Sequence, residues 1–337
     1  MNTLSGIQYL RAIAAIMVVF HHASLMAFGT NDGSQFGTAG VDIFFIISGF
    51  IMAYSTKGFV AGKDQLQQAL HFIRRRVIRV VPLYWIALLW TTKAMFFNNE
   101  IDLNILSDFL FFPRFYFHSH GAIWPELVVG WTLNYEMFFY LIFGISMLFG
   151  VWRYRVFSVV FSILILLGLL TKPTSAPILF YTSSILFEFM LGVGVYFLSL
   201  KKAPNQNLVI IALLFAIFIL VLDNGPIPRA VADGFPAAVI VYSTLILFNK
   251  TSFSLLNTLG DASYSIYLFH LGVFSLVGHM LRTLEWDIQV LPTVITLFLL
   301  VGLGVLTGLV LNKVLEKPLL RYLRDKFEKK DLILKVS

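Results

Sequence analysis

Arg11 and His22 are the pair with which chemistry in this sequence has to begin. They lie in one apolar run, and in an α-helix their eleven-residue spacing brings them within about 20° of the same face and about 16 Å apart along the axis. One groove along that helix can hold both. A guanidinium at one end of such a groove attracts an anionic head, and an imidazole at the other end can serve as a general base. His21 falls on a different face, so helix geometry separates the two adjacent histidines. The plainer alternative has Arg11 reaching to membrane head groups and His22 bonding a neighbouring helix.

Other groups stand where an apolar environment would penalise them, which makes each a candidate for function. Asp42 follows Gly40 and Val41 at the start of the next apolar run, close to the level of His22, where a carboxylate would fix the imidazole tautomer and raise its basicity. As an alternative, Asp42 is an interfacial acid facing water. Trp131, Asn134, Tyr135 and Glu136 share one later run, and Glu188 sits in the middle of another. Both glutamates require partners, for which Arg11 or a histidine is best suited. Ser263, Tyr267 and His270 share a helical face and read equally well as a polar packing seam. Arg74, Arg75, Arg76 and Arg79 precede Val80-Val81-Pro82-Leu83-Tyr84-Trp85. Arg76 and Arg79 project from one side of that helix entrance, and guanidinium forks match paired phosphate oxygens, so a polyphosphate ligand is expected there. Simple membrane anchoring accounts for Arg74 and Arg75 and less well for the deeper Arg79. His118 and His120 form an HxH pair with no second cluster to complete a tetrahedral set, so no metal is expected. There is no glycine-rich phosphate loop, serine elbow or nucleotide fingerprint, and Gly40 and Gly49 read as helix-packing residues.

The elements that must position these groups follow from composition. The chain has 337 residues, of which 58% are hydrophobic and 13% charged, with 34 Phe, 13 Tyr and 6 Trp. Its mean hydropathy is +0.82. These values exclude a soluble globular enzyme and a disordered chain and point to an all-α integral membrane protein. With no cysteine, disulfides, thiolate metal sites and cysteine nucleophiles are absent. At about 20 apolar residues per span, ten transmembrane helices are expected, near 7–27, 40–56, 77–97, 127–149, 155–170, 178–199, 208–223, 231–248, 262–282 and 291–312.

Most of the 25 Lys and Arg fall on one side of this arrangement: Lys57, Lys63, Arg74 to Arg76, Arg79, Arg153, Arg155, Lys201, Lys202, Lys250 and the tail from Lys313. Few fall on the other side, so both termini are expected in the cytoplasm and the chain in the plasma (inner) membrane. The net charge of +7 is then a topology signal, and nucleic-acid binding is not expected. The first run is interrupted by Arg11, His21 and His22, which a cleaved signal peptide would not tolerate. The outer connection Asn98 to Glu126 is too aromatic for an open loop and is expected to lie in or re-enter the outer interface. Residues 1–312 are read as one polytopic domain and 313–337 as a basic cytoplasmic tail, whose spacing suits a helix on the inner leaflet. No internal repeat is visible.

Several short stretches, in order, resemble the membrane acyltransferase 3 family. They are Gly6-Ile7-Gln8-Tyr9-Leu10-Arg11-Ala12 with His22, Gly40-Val41-Asp42-Ile43-Phe44-Phe45 leading to Ser48-Gly49-Phe50, and Arg76-x-x-Arg79 running into Val81-Pro82-Leu83-Tyr84. Trp131-Thr132-Leu133-Asn134-Tyr135-Glu136-Met137-Phe138-Phe139-Tyr140 resembles the form found in exopolysaccharide-production acetyltransferases of that family. Tyr264-Ser265-Ile266-Tyr267-Leu268-Phe269-His270 and Glu316-Lys317-Pro318 also match, so the resemblance covers nearly the whole chain.

The resemblance implies transfer of an acyl group, usually acetyl from acetyl-CoA, to a hydroxyl of a cell-envelope glycan. Within it His22 would be the catalytic histidine, Arg11 its motif partner, and Arg76 and Arg79 would bind the coenzyme. Asp42 or Glu136 is expected to orient His22 as base, and an acyl-histidine intermediate is a variant of the same scheme. The acceptor is expected to be a polysaccharide or a lipid-linked oligosaccharide, with membrane lipid and envelope-polysaccharide assembly proteins as partners. Some relatives carry a fused periplasmic hydrolase-like domain, for which 337 residues leave no room, so the chain is expected to act alone or to hand the acyl group on. The alternative from another class is a secondary transporter of a polar metabolite, which buried charges and ten helices also permit. A non-catalytic scaffold would leave the Arg11 and His22 spacing without a purpose.

Overall fold

The computed structural model describes residues 4–28, 35–62, 64–97, 105–116, 121–222, 227–248, 251–284 and 292–333. Among these residues the regular structure is entirely helical. In chain order the helices are α1 (Ser5–Phe28), α2 (Ala39–Ser55), α3 (Gln65–Phe97), α4 (Ile105–Phe109), α5 (Gly130–Met147), α6 (Arg153–Thr171) and α7 (Ala176–Tyr181). They continue as α8 (Leu186–Ser199), α9 (Gln206–Val221), α10 (Arg229–Ala232), α11 (Gly234–Phe248), α12 (Ser254–Thr283), α13 (Thr293–Leu311) and α14 (Lys317–Ile333), with a π-helical turn, Asn312–Glu316, joining the last two. Among the described residues six helices or joined helix pairs are long and apolar enough to cross a membrane, and α2 and α9 are shorter apolar helices.

α1 is the central helix. Ala12, Ala15, Val19 and Ala23 recur every three to four residues and pack on Ile266 and Phe274 of α12 and Leu297 and Leu300 of α13. On another side Ile7, Leu10, Ala14, Met17 and Val18 join the larger core built with α2, α3, α5, α8 and α11. Buried on both sides, α1 cannot turn Arg11 or His22 out into lipid. α1 and α12 run side by side in the same direction: Gln8 bonds Asp261 near their N-terminal ends, and His22 meets His270 further along.

Small residues set the closest crossings. A Cβ on Gly49 of α2 would overlap the Phe189 carbonyl oxygen of α8, and one on Gly192 would overlap the Ile46 carbonyl oxygen. Backbones can approach this closely only where side chains are missing.

Three predicted segments differ in detail. The helix expected from residue 77 begins at Gln65, because Ala69, Phe72, Arg76, Arg79 and Val80 form one stripe at helical spacing, with Ala69, Phe72 and Val80 buried. The segment expected at 178–199 is broken between α7 and α8, where the Ile185 amide donates to Ser183 Oγ. The segment expected at 231–248 breaks at Asp233, since Pro236 lacks an N–H and its ring would clash with the carbonyl four residues earlier.

The described part of the aromatic connection after α3, residues 105–116 and 121–126, folds back on α3. Tyr84 Oη donates to the Asp108 carbonyl oxygen at 3.1 Å, and Trp85 Nε1 donates to the Phe109 carbonyl oxygen at 2.9 Å. Arg114 donates two bonds to the Asp108 carboxylate, both at 3.1 Å, and one to Glu126 at 3.0 Å. Burial pulls the Arg114 pKa down, but these bonds to Asp108 and Glu126 more than reverse that effect and leave it above its ordinary value. His118 and His120 lie outside the described residues.

Candidate active site

The helical stripe that lengthens α3 also turns Arg76 and Arg79 inward. With Arg11 of α1 they line one cavity of about 320 Å³, bounded by α1, α2, α3, α5 and α12. Each guanidinium is held differently. Arg11 Nη1 donates to Gln8 Oε1 at 3.2 Å, and Gln8 Nε2 donates onward to Asp261 Oδ1 at 3.0 Å. Arg79 donates to Glu316 Oε1 and lies over the Tyr264 ring, 5.6 Å from its centroid. Glu316 is buried, and its other oxygen accepts from Ser265 Oγ at 2.6 Å and Asn312 Nδ2 at 2.8 Å. The π-helical turn therefore sets Glu316 and Asn312 against α12 and aims a carboxylate at Arg79. Widened turns of this kind are often found at functional sites.

Arg76 alone of the three keeps a buried donor open. Its Nη2 donates to Ser55 Oγ at 3.1 Å, its guanidinium lies 5.5 Å from the Phe72 centroid and 5.7 Å from that of Tyr140, and its Nε is buried without a hydrogen-bond partner. A buried donor left open on a cavity wall costs free energy that an anionic oxygen would recover.

Glu136 is the carboxylate lining the same cavity. It accepts from Ser48 Oγ at 2.8 Å and from Tyr140 Oη. Three guanidiniums therefore line the cavity with one carboxylate, and Glu316 stands behind Arg79. The sequence had offered Arg11 as a partner for Glu136 or Glu188, whereas the hydrogen bond of Arg11 goes to Gln8. Farther along, the cavity is walled by Thr132, Phe44 and Tyr267, whose last two rings meet edge to face at 5.9 Å.

One turn beyond Tyr267 on α12 lies His270, fully buried, with its ring 5.0 Å from that of His22. His22 does not line the cavity. It is half-buried, with Nδ1 3.0 Å from the Val18 carbonyl oxygen and 3.1 Å from His270 Nε2. His270 Nδ1 in turn lies 2.8 Å from the Tyr267 carbonyl oxygen and 3.2 Å from that of Ile266. Helical spacing had allowed one groove to hold both Arg11 and His22, whereas the cavity is lined by Arg11 and not by His22, which stands farther along α1 against His270.

Asp42 differs from its expected role. Both of its oxygens, which are buried, accept from the partly exposed Arg229, at 3.0 Å each, in a two-pronged pair that ties α2 to α10. The Arg229 guanidinium also lies 5.7 Å from the Trp131 centroid, and the fully buried Glu188 of α8 is within electrostatic reach of it. A carboxylate with both oxygens committed to a guanidinium is not the group that bonds His22. Neither is Glu136, whose partners are Ser48 and Tyr140. The residue beside His22 is His270, which the sequence offered only as part of a polar seam.

A profile described as an acyltransferase domain matches residues 4–313. The chain is 35% identical over 318 residues to the exopolysaccharide production protein ExoZ of Rhizobium meliloti (strain 1021), covering 90% of this chain and 95% of that protein. It is 26% identical over 328 residues to the peptidoglycan O-acetyltransferase OatA of Listeria monocytogenes, covering 84% of this chain and 51% of that protein. It is 25% identical over 317 residues to the O-acetyltransferase OatA of Staphylococcus aureus (strain NCTC 8325 / PS 47), covering 82% of this chain and 51% of that protein. The chain thus spans about half the length of the two O-acetyltransferases. No solved structure is a significant match.

Proposed function

Because the chain belongs to the membrane acyltransferase 3 family, we propose that it transfers an acetyl group from cytoplasmic acetyl-CoA to a hydroxyl of a cell-surface or lipid-linked polysaccharide. The observation that carries this reading is the juxtaposition of two unlike ends. Three guanidiniums, one with an open buried donor, gather in a cavity at one level, and a half-buried imidazole stands farther along the same helix.

In this scheme the coenzyme phosphates bind Arg76, Arg79 and Arg11, and the pantetheine arm rises past Tyr264 towards Thr132 and Tyr267. Along α1 the distance from Arg11 to His22 is about 16 Å, so the donor must be long and extended. His22 acts as general base on the acceptor hydroxyl, whose oxygen attacks the thioester carbonyl carbon. The carbon–sulfur bond breaks, and the departing thiolate takes up the proton that His22 received. Glu136 limits the positive charge among the arginines and keeps Tyr140 in place.

The proposal includes ten spans with both termini cytoplasmic in the inner membrane, a domain over 1–312, a basic tail over 313–337, and no metal. The exposed aromatic residues Phe112, Phe115 and Trp124 offer faces on which sugar rings stack, and envelope-polysaccharide assembly proteins are the expected partners. The test is transfer from radiolabelled acetyl-CoA in membranes containing the native acceptor, with polysaccharide and lipid fractions counted separately. Label should reach glycan with the wild-type protein and stay at background with His22→Ala, provided that both insert equally. Labelling by the His22→Ala protein at the wild-type level would overturn the assignment.

A further inference from the structure

We infer that His270 is the positioning residue for His22: it fixes the hydrogen-bond direction of the pair so that His22 presents a bare Nε2 to the acceptor hydroxyl. The inference rests on His22 being the base and assigns the orienting role that the sequence had given to Asp42 or Glu136.

The direction follows from what each atom can do. The carbonyl oxygens of Tyr267 and Ile266 only accept, so His270 Nδ1, 2.8 Å and 3.2 Å away, carries a proton and donates it. Neutral His270 then has its lone pair on Nε2. At 3.1 Å from His22 Nδ1 that lone pair must accept, so His22 Nδ1 carries a proton. The Val18 carbonyl oxygen, 3.0 Å from the same Nδ1, demands the same direction. The one remaining ring nitrogen of His22, Nε2, is left as the acceptor. Every link in the series Tyr267 carbonyl, His270, His22 is thereby directed one way.

Burial separates the two roles. His270 is fully buried and cannot meet a hydroxyl, whereas His22 is half-buried in front of it. Phe274 closes on His270 from the next turn at 5.6 Å between ring centroids, and α13 comes close enough at Gly304 that a Cβ there would lie 3.3 Å from His270 Cβ. The ring is wedged, so its hydrogen bonds keep their geometry.

The consequence for the reaction is specific. When the hydroxyl oxygen bonds to the thioester carbon, its proton passes to His22 Nε2, and the cation formed keeps its Nδ1–H on His270 Nε2. A hydrogen bond to an ionised group is stronger than one to a neutral group, so His270 favours the charged state through which the reaction passes. The proton then leaves from Nε2 to the coenzyme thiolate, and His270 begins and ends neutral.

Two measurements decide the matter. The first is nitrogen NMR of the purified protein labelled with 15N-histidine, with His22 assigned by its loss in His22→Ala. Nδ1 should be protonated and Nε2 bare in the wild-type protein, and a His22 protonated on Nε2 instead would overturn the inference without any activity being measured. The second is initial-rate transfer by His270→Asn and His270→Gln. A glutamine amide oxygen can stand near the position of Nε2, whereas the shorter asparagine places its oxygen near Nδ1 and cannot reach His22. His270→Asn should lower kcat about 10- to 100-fold with KM for acetyl-CoA unchanged, and His270→Gln should restore most of the loss. A wild-type kcat in His270→Asn would refute the role of His270. Wild-type transfer by His22→Ala would instead refute the choice of base, so the two failures are distinguishable.

Discussion

Arg76 and Arg79 stand three residues apart in one motif, yet the structure predicts that their losses will be felt differently. Arg76 faces no carboxylate at ion-pair distance among the described residues and keeps a buried Nε without a partner. Replacing it with lysine retains the charge and removes the fork, forfeiting one charge-assisted bond to phosphate. Such a bond is worth about 1.5–3 kcal/mol, which is roughly a 10- to 150-fold rise in KM for acetyl-CoA. Kcat and thermal stability should be little changed, because no buried partner is abandoned. Arg79 is already paired with Glu316, whose side chain is 2% exposed against 26% for Arg79. Arg79→Ala would leave that carboxylate with only Ser265 and Asn312. Breaking such a pair costs about 3–5 kcal/mol when both partners are fully buried, and about 3 kcal/mol is expected here because Arg79 is partly solvated. The assay is a set of initial rates against acetyl-CoA alongside melting in detergent, with Arg79→Ala/Glu316→Ala as the double variant. The double variant should melt closer to wild type than Arg79→Ala alone. Equal KM changes for Arg76→Lys and Arg79→Ala, with neither melting point moved, would refute the reasoning.

Other outcomes follow from single contacts. Arg229→Ala leaves the buried Asp42 carboxylate uncompensated and should cost about 3 kcal/mol, since Arg229 is itself partly solvated; Arg229→Lys should recover little, because a lysine cannot match both oxygens, and thermal unfolding of the two variants checks this. Gly49→Val places a Cβ against the Phe189 carbonyl and should cost about 3 kcal/mol or prevent assembly, read as yield and monodispersity after extraction. Arg114→Ala removes three hydrogen bonds from Asp108 and Glu126. It should expose the 105–116 segment to limited proteolysis while leaving KM for acetyl-CoA within about twofold, since Arg114 does not line the cavity.

Helical periodicity made the levels of Arg11 and His22 legible, because one dihedral pattern fixes both angle and rise along α1. Arg76 and Arg79 were readable for the same reason, and the stripe they extend through Ala69 and Phe72 explains why α3 begins earlier than hydropathy alone indicates. Partnerships between helices were not readable. Asp42 stands near the expected start of α2, but its partner Arg229 lies just before the segment expected at 231–248, in a four-residue helix set apart from it by the break that Pro236 marks, and no local pattern tells which helix it faces. His270 shares a face with Ser263 and Tyr267 on any helical wheel, and only the packing of α12 along α1 turns that seam towards His22. Glu316 lay within a recognisable short motif, but its aim at Arg79 depends on the π-helical turn.

The acids follow a pattern that bears on why an imidazole stands behind the base. Asp42 is bonded to Arg229, Glu316 to Arg79, Ser265 and Asn312, and Glu136 to Ser48 and Tyr140. Each of these three carboxylates is tied to a guanidinium or to more than one donor, whereas the fully buried Glu188 has no hydrogen-bond partner on either oxygen among the described residues and has the Arg229 guanidinium within electrostatic reach. A carboxylate at the position of His270 would have only the His22 N–H in front of it and the Tyr267 and Ile266 carbonyl oxygens behind, which repel it. A neutral imidazole meets the same surroundings with a donor for the carbonyls and an acceptor for His22, and no isolated charge is buried. The prediction that follows is asymmetric. His270→Glu, although acidic side chains often orient histidine bases, should perform worse than His270→Gln in both yield and kcat, and a His270→Glu enzyme faster than wild type would refute this account of the site.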